Sequence, residues 1–243
     1  MEILQLLYEK KVVVAFCLIS FTLAYPMIEF ENLATYGGIS SLAVLVISLP
    51  CLIALYQEIG QQKTVRVLLV LGILTVVVEA VAVKTGLPYG KFSYSERMGY
   101  LLFDTVPPTI AFGYLPILLG SMAVAGKFKP EGRWRFTTLT AAINLLMDMV
   151  IDPAFVSNGF WAWENQGFYY GVPLVNFLGW ALTGFTYANI YYQIVGGEIP
   201  LSPRITTSLL YILSLWTSYL LQKSLLFPGA LGAVTLAILI SEY

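Results

Sequence analysis

Long uninterrupted apolar blocks constrain this chain more than any other feature of its sequence. A helix that crosses a bilayer needs roughly 17 to 25 mostly apolar residues, and seven such blocks are present. They lie at 12–28, 38–56, 65–83, 106–125, 136–152, 172–195 and 205–221. An eighth block, 224–240, has Pro228 near its start and lies at the lower length limit. The blocks predict an all-α, polytopic transmembrane bundle of seven to eight spanning helices, one integral membrane domain over residues 1–243.

The distribution of basic residues predicts the orientation of this bundle. If the N-terminus is cytoplasmic, the cytoplasmic side carries Lys10, Lys11, Lys63, Arg66, Lys127, Lys129, Arg133, Arg135 and Arg204, and the outer side carries Lys84, Lys91, Arg97 and Lys223. An excess of Lys and Arg marks the cytoplasmic side, so we expect a multi-pass protein of the cell membrane with its N-terminus inside. Two unusual connections, 86–100 and 153–173, then emerge on the same outer side, where together they could build one site.

Composition excludes several classes of function. Only 11% of the residues are charged and the net charge is -1, so there is no electrostatic footprint for nucleic acid. The chain has no histidine, which removes the imidazole ligands of haem, non-haem iron and zinc sites and the Ser-His-Asp and Cys-His routes to catalysis. No glycine-rich phosphate loop follows a strand pattern. We therefore expect no metal and no cofactor, and an enzyme of this kind must use Asp, Glu, Tyr or Lys.

Four acidic residues in or beside the apolar blocks are the candidate catalytic groups. A carboxylate deep in a membrane helix costs about 2.5 to 3.5 kcal/mol on insertion scales, so such residues usually face a cavity or a partner. The i, i+4 spacing of Asp148 and Asp152 places them on one helix face, and Asn144 continues that face inward. The four are Glu79 in the third block, Asp104 entering the fourth, and Asp148 and Asp152 ending the fifth.

Structural roles are the competing interpretation of these acids. Asp152 could end its helix before Pro153 while Asp148 holds a neighbouring helix, although a carboxylate in the last turn opposes the helix dipole. Glu79 could pair with Lys84 or with an interfacial arginine. A third interpretation makes the acids and Asn176 part of a proton or solute pathway in a transporter or a lipid-binding bundle.

Aromatic residues are concentrated in the two outer connections. Most of them are explained by the aromatic belt that membrane proteins form at the lipid interface. The same rings would also offer π faces to a cationic intermediate. The residues concerned are Tyr89, Phe92, Tyr94, Trp161, Trp163, Phe168, Tyr169 and Tyr170.

Four segments resemble a known family. They are "GLPYGKFSYS" from Gly86 to Ser95, "VPP" from Val106 to Pro108, "DMVIDP" from Asp148 to Pro153 and "GFWAWENQGFYYGVPLVNFLGW" from Gly159 to Trp180. In their order and spacing, over roughly residues 75–185, they are similar to the prokaryotic carotenoid biosynthesis membrane proteins, which include hydratases of the bacterioruberin and γ-carotene type. The resemblance implies a cofactor-independent hydro-lyase that adds water across the terminal 1,2 double bond of an acyclic carotenoid. It also implies a hydrophobic polyene substrate entering from the lipid phase, with membrane lipids and other carotenoid-pathway enzymes as partners.

Acid catalysis by carboxyl groups suits such a hydration. The reaction needs a proton donated to one carbon, a tertiary cation on its neighbour and a water delivered to that cation. Two aspartates this close should titrate as a coupled pair, so one could donate while the other orients water. A cyclase or isomerase acting on the same polyene would begin with the same protonation. The candidate substrate-binding residues are Tyr89, Tyr94, Asn144, Trp161, Trp163, Tyr170, Asn176 and Trp180.

Overall fold

The computed structural model describes residues 5–30, 37–197, 199 and 202–243. Helices make up most of this described part: α1 (Lys10–Glu29), α2 (Gly37–Thr85), α3 (Ile110–Lys127), α4 (Gly132–Ser157), α5 (Leu174–Ile194), α6 (Thr207–Gln222) and α7 (Leu226–Ser241). The connections contain two short strands, β1 (Phe92–Tyr94) and β2 (Trp161–Trp163), and 3-10 turns at Glu96–Met98 and Pro203–Thr206. The predicted all-α class is confirmed.

Helix α2 contains two of the predicted blocks and folds back on itself at Gly60. The backbone there is non-helical, with φ 78° and ψ 168°, a conformation that glycine adopts readily. A Cβ on Gly72 would lie 3.8 Å from Ala111 Cβ, and one on Gly113 would lie 3.8 Å from Val44 Cγ1. A straight helix would separate positions 44 and 72 by about 40 Å. Since both lie beside the same turn of α3, segments 37–59 and 61–85 are two neighbouring helices.

Helices α3 and α6 form the centre of the bundle, and the other helices pack around them. Most residues of α3 and α6 are buried, and α6 contacts α1, α2, α3, α4 and α7. By contrast, α1 and α2 expose large apolar side chains such as Leu18, Leu42 and Ile73. An apolar surface of this extent is typical of a protein that contacts lipid. By length and composition, α1, α2, α3 and α4 could each cross a membrane, and α7 is a shorter apolar helix.

Two predicted helix boundaries are wrong, and prolines explain both errors. Helix α3 begins at Ile110 rather than at position 106, because residues before the prolines at 107 and 108 are disfavoured in the helical conformation. Helix α4 does not end at Asp152 but continues through Pro153 to Ser157. A proline inside a helix leaves the carbonyl four residues earlier without its donor. Here the Tyr169 phenol donates to that carbonyl, Met149 O, at 2.8 Å.

The two long connections lie together, as their sequences predict. Strands β1 and β2 pair antiparallel, with Phe92 opposite Trp163 and Tyr94 opposite Trp161. Arg97 Nη1 adds a hydrogen bond of 2.8 Å to the carbonyl of Asn158. The pairing joins the segment after α2 to the segment after α4, so both connections cover the same end of the bundle.

Helix α5 packs so closely against the first connection that only glycine fits at position 179. A Cβ there would lie 2.5 Å from Tyr89 Cδ1 and 2.7 Å from the Pro88 carbonyl oxygen, which is backbone and cannot move alone. We expect Gly179→Ala to destabilise the protein by about 1 to 3 kcal/mol, as overpacking does, seen as a lower unfolding temperature in detergent. The matched control is Gly72→Ala, whose Cβ meets only ordinary contacts. It should be neutral or stabilising by up to about 1 kcal/mol, and equal losses in both variants would contradict the prediction.

Candidate active site

Two buried carboxyl groups on α4 form the centre of the site. Asp148 and Asp152 are 0% and 1% exposed, and their carboxyl groups lie within hydrogen-bonding reach of each other. The Asn176 amide of α5 donates to Oδ2 of both, at 3.1 Å for Asp148. Among the described residues, Oδ1 of each aspartate has no hydrogen-bond partner. Two carboxyl groups this close can hydrogen-bond to each other only when one of them is protonated, because an ionised carboxylate cannot donate.

A cavity of about 500 Å³ lies beside this pair. Its volume is within the range of about 300 to 1,000 Å³ typical of small-molecule sites. Helices α1 to α6 and both long connections contribute to its walls, which are overwhelmingly apolar. Asp152, Glu79 and Asn176 are the groups with carboxyl or amide side chains that line it within the described part of the chain.

The acids of the cluster differ in their access to the cavity. Asp152 on α4 and Glu79 on α2 line it, and they are close enough to interact electrostatically. Asp148 is not among the lining residues and lies behind Asp152, in contact with it and with Asn176. A molecule in the cavity can therefore contact Asp152 and Glu79 directly, whereas Asp148 acts only through its neighbours.

Glu79 is held by a phenol rather than by a basic residue. The Tyr94 hydroxyl of β1 donates to Glu79 Oε2 at 2.8 Å, and no ion pair to Glu79 occurs among the residues that the structure describes. The suggested pairing with Lys84 or an arginine is therefore not observed. Burial raises the pKa of the Tyr94 phenol well above its usual range, and the adjacent Glu79 carboxylate raises it further. The phenol consequently keeps its proton and remains a hydrogen-bond donor.

Aromatic side chains form the wall next to the acids. The Phe155 ring stacks on Trp161 at 4.4 Å between centroids and lies 4.5 Å from Trp216. Trp161 also packs edge-on against Tyr94, at 5.9 Å. All four rings line the cavity. These rings therefore belong to an internal wall with π faces, and the aromatic belt does not account for Trp161 or Tyr94.

A second layer of polar groups lies deeper in the bundle. Asn144, one turn below Asp148, is fully buried, and its amide donates to the Tyr114 hydroxyl at 3.5 Å. The Tyr89 hydroxyl donates to Thr183 Oγ1 at 3.2 Å. Trp180 packs edge-on against Tyr114 at 5.1 Å. Tyr89, Tyr114 and Trp180 also line the cavity, and Asn144 and Thr183 hold the two tyrosines from behind.

One side of the cavity is lined by residues that also face the outside of the bundle. Leu23 of α1, Ile39 of α2 and Phe112 of α3 all line it, and they are 51%, 53% and 38% exposed. These side chains are apolar, so the cavity opens through an apolar rim. Such an opening suits an apolar molecule that arrives from surrounding lipid rather than from water.

Four of the predicted site residues do not line the cavity, and one of them, Asp148, reaches it only through Asp152 and Asn176. Asp104 is exposed in the turn closed by the Leu102–Val106 bridge, before α3 begins. Tyr170 is 37% exposed and packs on Tyr169, and Asn144 lies behind the lining residues. The other eight predicted residues line the cavity: Glu79, Tyr89, Tyr94, Asp152, Trp161, Trp163, Asn176 and Trp180.

Sequence reasoning missed several lining residues. Phe155 follows Asp152 by three positions and so shares its helix face, a spacing that could have identified it. Tyr114 and Trp216 lie in apolar blocks, where the sequence does not distinguish them from other core residues. The packing of α3 and α6 brings them to the site. Within the described ranges, no three side chains of His, Cys, Asp or Glu group together so as to hold a metal ion.

Comparison with known proteins gives two matches. A family model described as "Carotenoid biosynthesis protein" matches residues 38–242, well beyond the 75–185 stretch that carries the resemblance noted above. A protein named "Bisanhydrobacterioruberin hydratase", from Haloarcula japonica, is 35% identical over 111 residues. That alignment covers 44% of this chain and 37% of the relative, so this chain matches little more than a third of that protein. No solved structure matches the chain significantly.

Proposed function

The chain belongs to the carotenoid biosynthesis protein family, and from that membership we propose that it is a cofactor-independent hydratase acting on an acyclic carotenoid. In this proposal it adds water across the terminal 1,2 double bond and leaves a tertiary hydroxyl group. The relative from Haloarcula japonica, which is named as a hydratase, supports the reaction type. The observation that carries the proposal is the placement of a buried pair of neighbouring aspartates at an apolar, aromatic-walled cavity that opens through an apolar rim.

The aspartate pair would supply the acid. Asp152 faces the cavity and can transfer the shared proton to C2 of the terminal double bond, which leaves a tertiary cation at C1. Both carboxyl groups are then ionised, and Asn176, which donates to both, stabilises their charge. Catalysis by a positioned general acid typically contributes about 10² to 10⁴-fold in rate.

The aromatic wall would stabilise the cation. The ring faces of Trp and Tyr attract a cation within about 6 Å, and the interaction stabilises it by about 2 kcal/mol where water is excluded. Trp161, Phe155 and Trp216 lie on the same face of the cavity as Asp152, because Phe155 follows it on α4, stacks on Trp161 and packs at a tilt against Trp216. An apolar cavity also keeps water from the cation until one molecule is delivered to it.

The first experiment is incubation of the purified protein with an acyclic carotenoid in ¹⁸O-labelled water under unlabelled oxygen. We expect a hydroxylated product that carries ¹⁸O, measured by mass spectrometry, without added nicotinamide, flavin or metal. A ring-closed product without new oxygen would instead indicate a cyclase, since a second double bond can capture the same cation. Oxygen derived from O₂ would overturn the proposal.

The second experiment tests the aspartates with isosteric variants. Asp152→Asn should lower the hydration rate by about 10² to 10⁴-fold, because an amide cannot donate an acidic proton. Asp148→Asn should also reduce the rate, since Asp148 no longer shares a proton with Asp152. Asp104→Asn is the matched control, because Asp104 is exposed and distant from the cavity, and it should retain its activity. Well-folded Asp152→Asn protein with full activity would exclude Asp152 as the acid.

We also propose that the chain spans the cell membrane eight times with its N-terminus in the cytoplasm. Lys10 Nζ donates to the Ser241 carbonyl at 3.0 Å, and Lys127 Nζ donates to that of Glu242 at 2.7 Å. The start of α1 and the ends of α3 and α7 therefore meet at one end of the bundle. With α2 counted as two segments, eight crossings put these three points on one side, whereas seven crossings, with α7 not spanning, would not. Helix α7 has 16 residues, about 24 Å, which is short for a bilayer core of about 30 Å.

Cysteine accessibility tests this topology. In intact cells, a membrane-impermeant thiol reagent should label Ser157→Cys, at the exposed end of α4. It should not label Glu131→Cys, at the other end of the same helix, until the cells are opened. Cys17 and Cys51 are buried and should contribute little background. The reverse labelling pattern would show the opposite orientation, and labelling of both in intact cells would mean that α4 does not cross the membrane.

A further inference from the structure

We infer that Glu79, positioned by Tyr94, is the general base that activates the water, and that Asp148 is a positioning residue that never touches the substrate. This inference rests on the proposed hydratase function and assigns the second half of its reaction. The sequence alone left acid and base to be divided between Asp148 and Asp152. The structure separates the groups differently, because Asp152 and Glu79 line the cavity and Asp148 does not.

Access decides the role of Asp148. The base must contact the water that attacks C1, so it must line the cavity that holds the substrate. Asp148 is 0% exposed, lies behind Asp152 and already interacts with Asp152 and Asn176. It can share a proton with Asp152, but it has no direct approach to a water molecule in the cavity.

Glu79 meets the requirements for a base. It lines the same cavity from a different helix, so a substrate carbon can be protonated by Asp152 while a water molecule rests against Glu79. The Tyr94 hydroxyl occupies one acceptor position on Oε2, at 2.8 Å, and fixes the carboxylate. A carboxylate offers about four acceptor positions, so the others can accept a proton from water.

Each proton that is donated in one catalytic cycle is returned before the next cycle begins. Asp152 gives its proton to C2, and the π electrons of the double bond form the new C–H bond and leave a cation at C1. The water oxygen forms a bond to C1 and loses a proton to Glu79. Glu79 then returns that proton to the Asp148–Asp152 pair, with both members of which it interacts electrostatically. The net change is the addition of one water molecule, with no oxidant or reductant.

Azide provides a test, because an azide anion can capture the cation without a base. In Glu79→Ala, hydration should fall by about 10² to 10⁴-fold. With sodium azide present, this variant should form a tertiary alkyl azide that mass spectrometry detects. The wild-type protein should form little adduct, since the Glu79 carboxylate repels an anion. Asp152→Asn should give neither alcohol nor adduct, because no cation forms.

Two further variants separate positioning from structure. Tyr94→Phe keeps the ring packing but loses the hydrogen bond to Glu79, so its hydration rate should fall less than that of Glu79→Ala, with unchanged thermal stability. Glu131→Ala, an exposed acid outside the cavity, should behave as wild type. The inference is overturned if Glu79→Ala keeps near-full hydration, or if a folded Glu79→Ala protein forms no azide adduct. A wild-type protein that hydrates no carotenoid would instead reject the proposed function itself.

Discussion

Two carboxyl groups buried among apolar helices need hydrogen-bond partners within the protein, and Asn176 provides them with one amide. Its amide group donates to both aspartates, which fixes the position of α5 along the axis of α4. Glycines make this approach possible. Gly184 faces Asn144, with its Cβ position 3.0 Å from Nδ2, and Gly179 faces the first connection. The positions of Trp180 and of the cavity wall follow from this contact between α4 and α5.

The site changes in character from its interior to its rim. Hydroxyl and amide groups support the acids from behind, aromatic rings surround them, and aliphatic residues of α1, α2 and α3 reach the outer surface. The Asp152 and Glu79 carboxyl groups line the same cavity as the aromatic rings, whereas Leu23, Ile39 and Phe112 reach the outer surface. A charged group anywhere nearer to the rim would have to be solvated by lipid, which is costly.

Sequence reasoning identified the helices and most of the acids, but it could not place them relative to one another. Hydrophobic block length is a local property, and it located all the helices found in the described residues. The reversal at Gly60 depends on how the two halves of α2 pack. The continuation of α4 through Pro153 depends on a distant donor, Tyr169, so the local rule that a proline ends a helix predicted the wrong boundary. Asp104 has the same residue type as its predicted partners, but its turn points it outward. Tyr114 and Trp216 carry no signal in an apolar block until α3 and α6 are packed.

The hydrogen bond between the Tyr169 phenol and the Met149 carbonyl lowers the conformational entropy that the second connection has left to lose when a ligand binds. Tyr169 lies near the end of the second connection, and its phenol replaces the donor that Pro153 cannot supply to α4. With β2 paired to β1 and Tyr169 fixed to α4, the connection is attached at two points on either side of residues 164–168. Residues in loops ordinarily lose conformational freedom when a ligand binds. Here Pro153 leaves a carbonyl that Tyr169 satisfies, so the connection loses its conformational freedom when the protein folds. The tryptophans of β2 are therefore preorganised before any ligand binds.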